Sequence, residues 1–152
     1  MLKNVWLSAA LVIGAASVAP AQTTPPVMSV LKQASCGCCG GWIARMQAAG
    51  FAVEVRNVTG EALQSAKVDA GLPQAVWACH TASVAGYTVE GHVPASDILR
   101  LLAERPDAVG IATPGMPMGS PGMEYGDERD AYDVVLVAGD GGQSVFASYP
   151  GN

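Results

Sequence analysis

The sequence has little positive charge. Lys and Arg together number 8 against 13 Asp and Glu, and the net charge is −5 over 152 residues. The basic residues are scattered along the chain, which leaves no electrostatic footprint for nucleic acid or for an anionic membrane surface. Long apolar runs are also scarce. One spans Val5 to Val18, and at about 14 residues it falls short of the roughly 20 that cross a bilayer. It follows Lys3 and ends in Ala19-Pro20-Ala21, a small-x-small cleavage pattern. That is the layout of a secretory signal peptide. The expectation is therefore a leader over residues 1–21, cleaved near Ala21, and a mature domain over residues 22–152. A domain of that size can bury a core without covalent staples. No second apolar run of spanning length follows, so no membrane insertion is expected after cleavage.

Cysteine is the scarce residue whose placement carries information. Three of the four cysteines fall in Ser35-Cys36-Gly37-Cys38-Cys39-Gly40-Gly41, and the fourth is Cys79. Exported compartments are oxidising, and thiols there pair or hold metal. A disulfide framework would spread its cysteines, and a bond between the adjacent Cys38 and Cys39 would be badly strained. Cys36 and Cys39 form a C-x-x-C, the spacing of a redox pair, but that use leaves Cys38 as a surplus thiol prone to mispairing. A metal site uses every thiol. Three sulfurs within four residues suit a soft thiophilic ion, Cu(I) first and Zn(II) second, because structural zinc ligands usually arrive as two spaced pairs.

The periodicity of the rest places these cysteines in a fold. Val27 to Gln33 reads as a strand, and Gly41 to Ala49 as a helix with Trp42, Ile43 and Met46 on one face and Gly50 as its stop. Phe51 to Asn57 alternates as a strand, and Glu61 to Ala70 reads as a second helix closed by Gly71. Ala82 to Ala85 and Tyr87 to Glu90 read as a hairpin, and Pro94 to Glu104 as a third helix. Pro106 to Asp130 is rich in Gly, Pro and Met without periodicity, and reads as a long functional loop. Its acidic run, Glu124 to Asp130, reads as a solvated surface. Asp133 to Ala138 and Ser144 to Tyr149 form a last hairpin. The order β-α-β-α-β-β-α, with an added loop and C-terminal hairpin, is an α/β, thioredoxin-like arrangement.

That arrangement puts Cys36 to Cys39 after the first strand, at the N-terminus of the first helix. Unpaired N–H groups and the helix dipole there stabilise thiolates. It also puts Cys79-His80-Thr81, just before the third strand, across from them. Cys79 is then the fourth thiol of the cluster, while His80 reads equally well as a structural histidine or a ligand. His92, before the third helix, reads as a capping or hydrogen-bonding residue or as a metal contact. Met116, Met118 and Met123 sit among prolines and glycines rather than on a periodic face, and Pro114-Gly115-Met116 is echoed by Pro121-Gly122-Met123. Thioethers in such a loop are soft donors that prefer Cu(I).

Four stretches, C-G-C-C-G-x-W from Cys36, C-H-T from Cys79, G-Y-x-x-E-G-H-V-P from Gly86 and P-G-M-P-x-G-S-P-G-M from Pro114, make the chain resemble the periplasmic copper-resistance proteins called CopG. The resemblance runs from about Val30 to Tyr149. It implies a thioredoxin-like fold, a periplasmic location, several copper ions in a cysteine-bridged cluster and a redox role in copper handling. It implies Cys36, Cys38, Cys39 and Cys79 as cluster cysteines. With the residue reading added, the candidate ligands are these four together with His80, His92, Met116 and Met123, since Met118 falls at a position the motif leaves variable. Copper, as Cu(I) and Cu(II), is the expected cofactor, and other periplasmic copper-handling proteins are the expected partners. The sequence leaves open whether the protein acts as a copper oxidoreductase. The competing readings are a thiol–disulfide oxidoreductase, with Cys36 as nucleophile and Cys39 as resolver, and a copper carrier without redox chemistry.

Overall fold

The computed structural model describes residues 26–152, and the expected leader over residues 1–21 lies outside the described residues. The strands are β1 (Val27–Lys32), β2 (Ala52–Asn57), β3 (His80–Val84), β4 (Tyr87–Glu90), β5 (Gly110–Ala112), β6 (Tyr132–Val137) and β7 (Gln143–Tyr149). The helices are α1 (Gly37–Ala48), α2 (Gly60–Asp69) and α3 (Ala95–Glu104). All seven strands join one sheet in the order β2-β1-β3-β4-β5-β6-β7.

Local chemistry sets these boundaries. α1 closes where Gly50 takes a positive φ of 93°, and α2 opens where the Thr59 hydroxyl accepts the Ala62 N–H at 3.2 Å. β3 and β4 meet at Ala85-Gly86, both with positive φ, the twist a two-residue hairpin requires. β1 pairs in parallel with β2 and antiparallel with β3, so Val30 lies between Val55 and Ala82 on the second strand of the sheet.

Alternation along the strands divides the interior. Ile111 joins Met28, Val30, Trp42, Met46, Ile98 and Leu101 in the main core, while its neighbour Ala112 joins Leu72, Val76 and Val137 in a smaller cluster. Adjacent strand residues point to opposite faces, so α1 and α3 cover one face of the sheet. α2 lies on the other, where Lys67 meets Thr81.

The thioredoxin-like order holds, with three differences from the periodicity reading. β5 lies within the stretch read as a structureless loop. It is only three residues long and buried throughout, so no alternation marks it. It runs parallel to β4 through the α3 crossover and bonds β6 on its other edge, which makes the C-terminal hairpin part of the main sheet. α1 begins at Gly37, not Gly41, because three poor helix formers, Gly37, Gly40 and Gly41, disguise its first turn. β3 begins at His80 rather than Ala82, so the Cys79–His80 step is the entry to the strand. α3 is tied to the hairpin by Arg100, whose guanidinium donates to the Phe146 carbonyl at 2.7 Å and lies 3.6 Å over the Phe146 ring. Among the described residues, no helix is long and apolar enough to cross a membrane.

Ile111 is fully buried at the junction of the thioredoxin-like part and the hairpin. Ile111→Ala should lower the unfolding free energy by about 3 kcal/mol, read from urea denaturation. A loss below about 1 kcal/mol would show that β5 contributes no core.

Candidate metal centre

The centre forms where the first turn of α1 meets the entry to β3. Cys36 is the N-cap of α1 in an extended conformation, and Cys38 and Cys39 lie in the first turn. No acidic side chain occupies that turn, so the positive end of the helix faces the sulfurs alone. Cys39 is buried, and Cys36 and Cys38 are half-buried. From the far side, Cys79 Sγ lies 3.5 Å from Cys39 Sγ and 4.0 Å from Cys38 Sγ, and Cys36 and Cys38 sulfurs are 3.6 Å apart. All four sulfurs lie within 4.8 Å of one another. Cys36 and Cys39 are joined as a disulfide, while Cys38 and Cys79 are free thiols.

Two imidazoles extend the cluster. His92 Nε2 is 3.0 Å from Cys79 Sγ, and its Nδ1 is 2.8 Å from the Pro121 carbonyl. A carbonyl only accepts, so Nδ1 carries the proton and Nε2 turns its lone pair toward the sulfur. Metal-binding histidines are commonly oriented in this way. His80 is buried between Trp42, 4.3 Å away ring to ring, and His92, edge-on at 5.1 Å. Its Nδ1 is 3.3 Å from Cys79 Sγ, and its buried Nε2 has no hydrogen-bond partner. Cys79, His80 and His92 thus make a second close donor group that shares Cys79 with the four-sulfur group.

Burial governs the charges here. Desolvation, reinforced by Cys38, pushes the Cys79 thiol up to about 12. Desolvation, followed by His92 and Lys67, brings His80 down to about 3, and burial also lowers His92. The centre therefore resists carrying charge of its own, and a bound cation would reverse that balance for the thiols.

The E-G-H-V stretch shapes the far wall. The Glu90 carboxylate accepts the Ala78 N–H at 2.6 Å. Gly91 has φ +72°, and a Cβ there would come within 2.5 Å of the Ala78 Cβ. His92 reaches Cys79, and the Val93 carbonyl accepts the Trp42 indole N–H at 2.8 Å. The methionine-bearing loop covers the near wall. A Cβ on Gly122 would lie 2.5 Å from the Trp42 nitrogen and 2.8 Å from the Cys38 carbonyl, so Pro121-Gly122 seats directly on the first turns of α1. Met123 follows that contact and is half-buried, whereas Met116 is 52% exposed and Met118 lines a separate cavity of about 420 Å³ beside Tyr132 and Tyr149. Cysteines and histidines form the two close donor groups, and the methionines are distributed along the loop. A cleft of about 270 Å³ reaches Cys36 and Cys79 between Gln33, Gln64 and Trp77.

Three residues of the centre escaped the sequence reading. Glu124, read as part of a solvated run, pairs with Arg45 at 3.0 Å and accepts the Gly122 N–H at 2.7 Å, pinning the loop. Lys67 and Glu90 form a buried ion pair behind Cys79. The available signals were a carboxylate ending an apolar strand inside a quoted motif and a lysine on the inner side of α2.

A thioredoxin-like sheet brings clustered thiols at a helix N-terminus against a Cys–His–His wall, and the class this defines is a thioredoxin-like protein with a cysteine cluster that could hold a metal ion. A family profile described as a protein of unknown function, DUF411, matches residues 76–123. Two solved structures titled copper resistance protein CopG, Form 1 and Form 2, are each 48% identical to the chain. Form 1 superposes with a TM-score of 0.78 over 84% of this chain and 99% of its own, and Form 2 with 0.77 over 83% and 99%. No curated protein sequence matches. The chain belongs to the CopG family of copper resistance proteins.

The depressed histidine gives a pH dependence. An unfolded His80 takes a proton near pH 6.5, and the folded one only near 3. Acid therefore favours the unfolded chain, and the metal-free protein should lose stability progressively from about pH 6.5 down to about 3. His80→Gln should flatten that loss in denaturation midpoints taken across the range, and an equal loss in the variant would assign it to other groups.

Proposed function

We propose that this chain is a periplasmic copper-binding protein of copper resistance, formed by residues 22–152 after cleavage near Ala21. In this reading it holds Cu(I) on the thiolates of Cys36, Cys38, Cys39 and Cys79. The observation that carries the reading is the convergence of four sulfurs within 4.8 Å, with two neutral imidazoles adjoining them. Soft thiolates select Cu(I) over harder ions, and zinc, which favours spaced ligand pairs, is the weaker candidate. Four thiolates on a single Cu(I) would leave a strongly negative centre in a place where burial resists charge. Sulfurs bridging several Cu(I) ions spread that charge, so a multinuclear cluster is the favoured form. His80 and His92 supply nitrogen donors through Cys79, and Met116 and Met123 supply thioethers from the loop. The half-buried site lies close enough to solvent for electron exchange, which gives the protein a Cu(I)/Cu(II) redox role in traffic with other periplasmic copper-handling proteins.

The disulfide between Cys36 and Cys39 favours a second reading, a thiol–disulfide oxidoreductase. A two-electron, two-proton reduction of that bond returns both thiols to the donor set, so the two readings differ in what the reduced form does. The reduced chain, titrated anaerobically with Cu(I) and analysed for bound metal, should take up more than one copper, and Cys38→Ser should lose much of it. If Cys38→Ser keeps full copper binding and the wild type reduces insulin disulfides, the oxidoreductase reading replaces the copper cluster. Reversible voltammetry of the loaded protein should separate a redox protein from a carrier, for which the electrode response would be silent.

A further inference from the structure

The buried pair behind Cys79 is unexplained by the metal donors. Lys67 and Glu90 are 2% and 0% exposed. The ammonium group donates to Glu90 Oε1 and, at 2.8 Å, to the Thr81 hydroxyl, which in turn donates to Glu90 Oε2 at 2.7 Å. Buried ion pairs of this kind can often be replaced by apolar residues of similar volume with no loss of stability, so stability alone does not account for this one. One contact is beyond an apolar replacement. Glu90 Oε1 accepts the Ala78 N–H at 2.6 Å, one residue before Cys79. Cys79 is also the sole thiol on the far wall, and its sulfur faces Cys38, Cys39, His80 and His92 at once.

We propose that Glu90 is a positioning residue for Cys79. Its side-chain oxygen fixes the backbone step that aims the Cys79 sulfur, and Lys67, anchored on α2, balances the charge of the buried carboxylate. Two residues beyond Glu90 in the same chain segment, His92 meets the same sulfur, so β4 and the turn after it hold Cys79 from both its backbone and its side-chain end. This inference rests on the copper-binding reading and concerns how the site is held.

The test uses the reduced mature chain with Cu(I), its affinity measured anaerobically by competition with bicinchoninate. Lys67→Met with Glu90→Gln removes both charges and keeps an amide oxygen for the Ala78 N–H. It should retain wild-type affinity and the wild-type thiolate-to-Cu(I) absorption. Lys67→Met with Glu90→Leu is of similar size but leaves that N–H without an acceptor. It should lose affinity about 10- to 100-fold, the usual loss when a partner that orients a metal ligand is removed, with an altered absorption. A folded Leu version that binds as the wild type does, or a Gln version as weakened as the Leu one, overturns the proposal. A measurement on the wild type stands even if the Leu version fails to fold. Coupling is reciprocal, so Cu(I) loading should slow hydrogen exchange at the Ala78 amide more than at the amides of β6. Equal slowing overturns the proposal. A wild type that takes up no Cu(I) would instead refute the copper reading itself.

Discussion

The contact between Cys79 and the first turn of α1 spans 40 residues of sequence, and at 3.5 Å between sulfurs it tolerates little error. A backbone shift of an ångström on either side would separate the donors. Much of the surrounding structure bears on that distance. β1 and β3 are adjacent and antiparallel, with Lys32 opposite His80, so the end of β1 that leads into Cys36 and the end of β3 that follows Cys79 leave the sheet side by side. Trp42 fastens the two walls from within, since α1 carries the ring while its N–H is held by Val93 on the opposite wall.

The C-terminal extension serves the same distance from outside. β5 extends the sheet past β4, and β6 and β7 continue it, with Arg100 and the Tyr149–Asp97 hydrogen bond of 2.7 Å locking the hairpin to α3. The loop between β5 and β6 is thereby fixed at both ends. Its middle delivers Pro121 to His92 and Gly122 to α1. Glycine is required at that second point because φ is +87° and any side chain would strike the helix backbone. The loop orients an imidazole and covers Cys38 with one short segment.

Those parts of the fold with long, regular periodicity were legible in the sequence. Trp42, Ile43 and Met46 marked α1, and the alternation after Phe51 marked β2. The topology they define places Cys79 across from the cysteine turn. What escaped was short or held by pairing rather than by pattern. β5 has three residues, all buried, and carries no period to detect. The start of α1 was hidden by glycines whose reason lies in tertiary contact, as with Gly41, where a Cβ would lie 3.0 Å from Gly122 Cα. Glu90 and Lys67 are charged residues in the interior, and composition reads each one alone as surface. Their meaning appears only when α2 and β4 are brought together.

The third thiol of the cysteine turn gives the site its distinct character. With Cys36 and Cys39 joined, Cys38 remains free, 4.0 Å from Cys79, and Cys79 still adjoins both imidazoles. Oxidation of the C-x-x-C therefore removes two sulfurs from the cluster and leaves two sulfurs and two nitrogens. A chain with only Cys36 and Cys39 in the turn would lose every α1 donor on oxidation and become an ordinary redox pair. Cys38 keeps a sulfur on the helix side in both states. On the proposed copper-binding reading, thiol oxidation and metal binding share atoms, and the size of the donor set, rather than its existence, would follow the redox state of the turn.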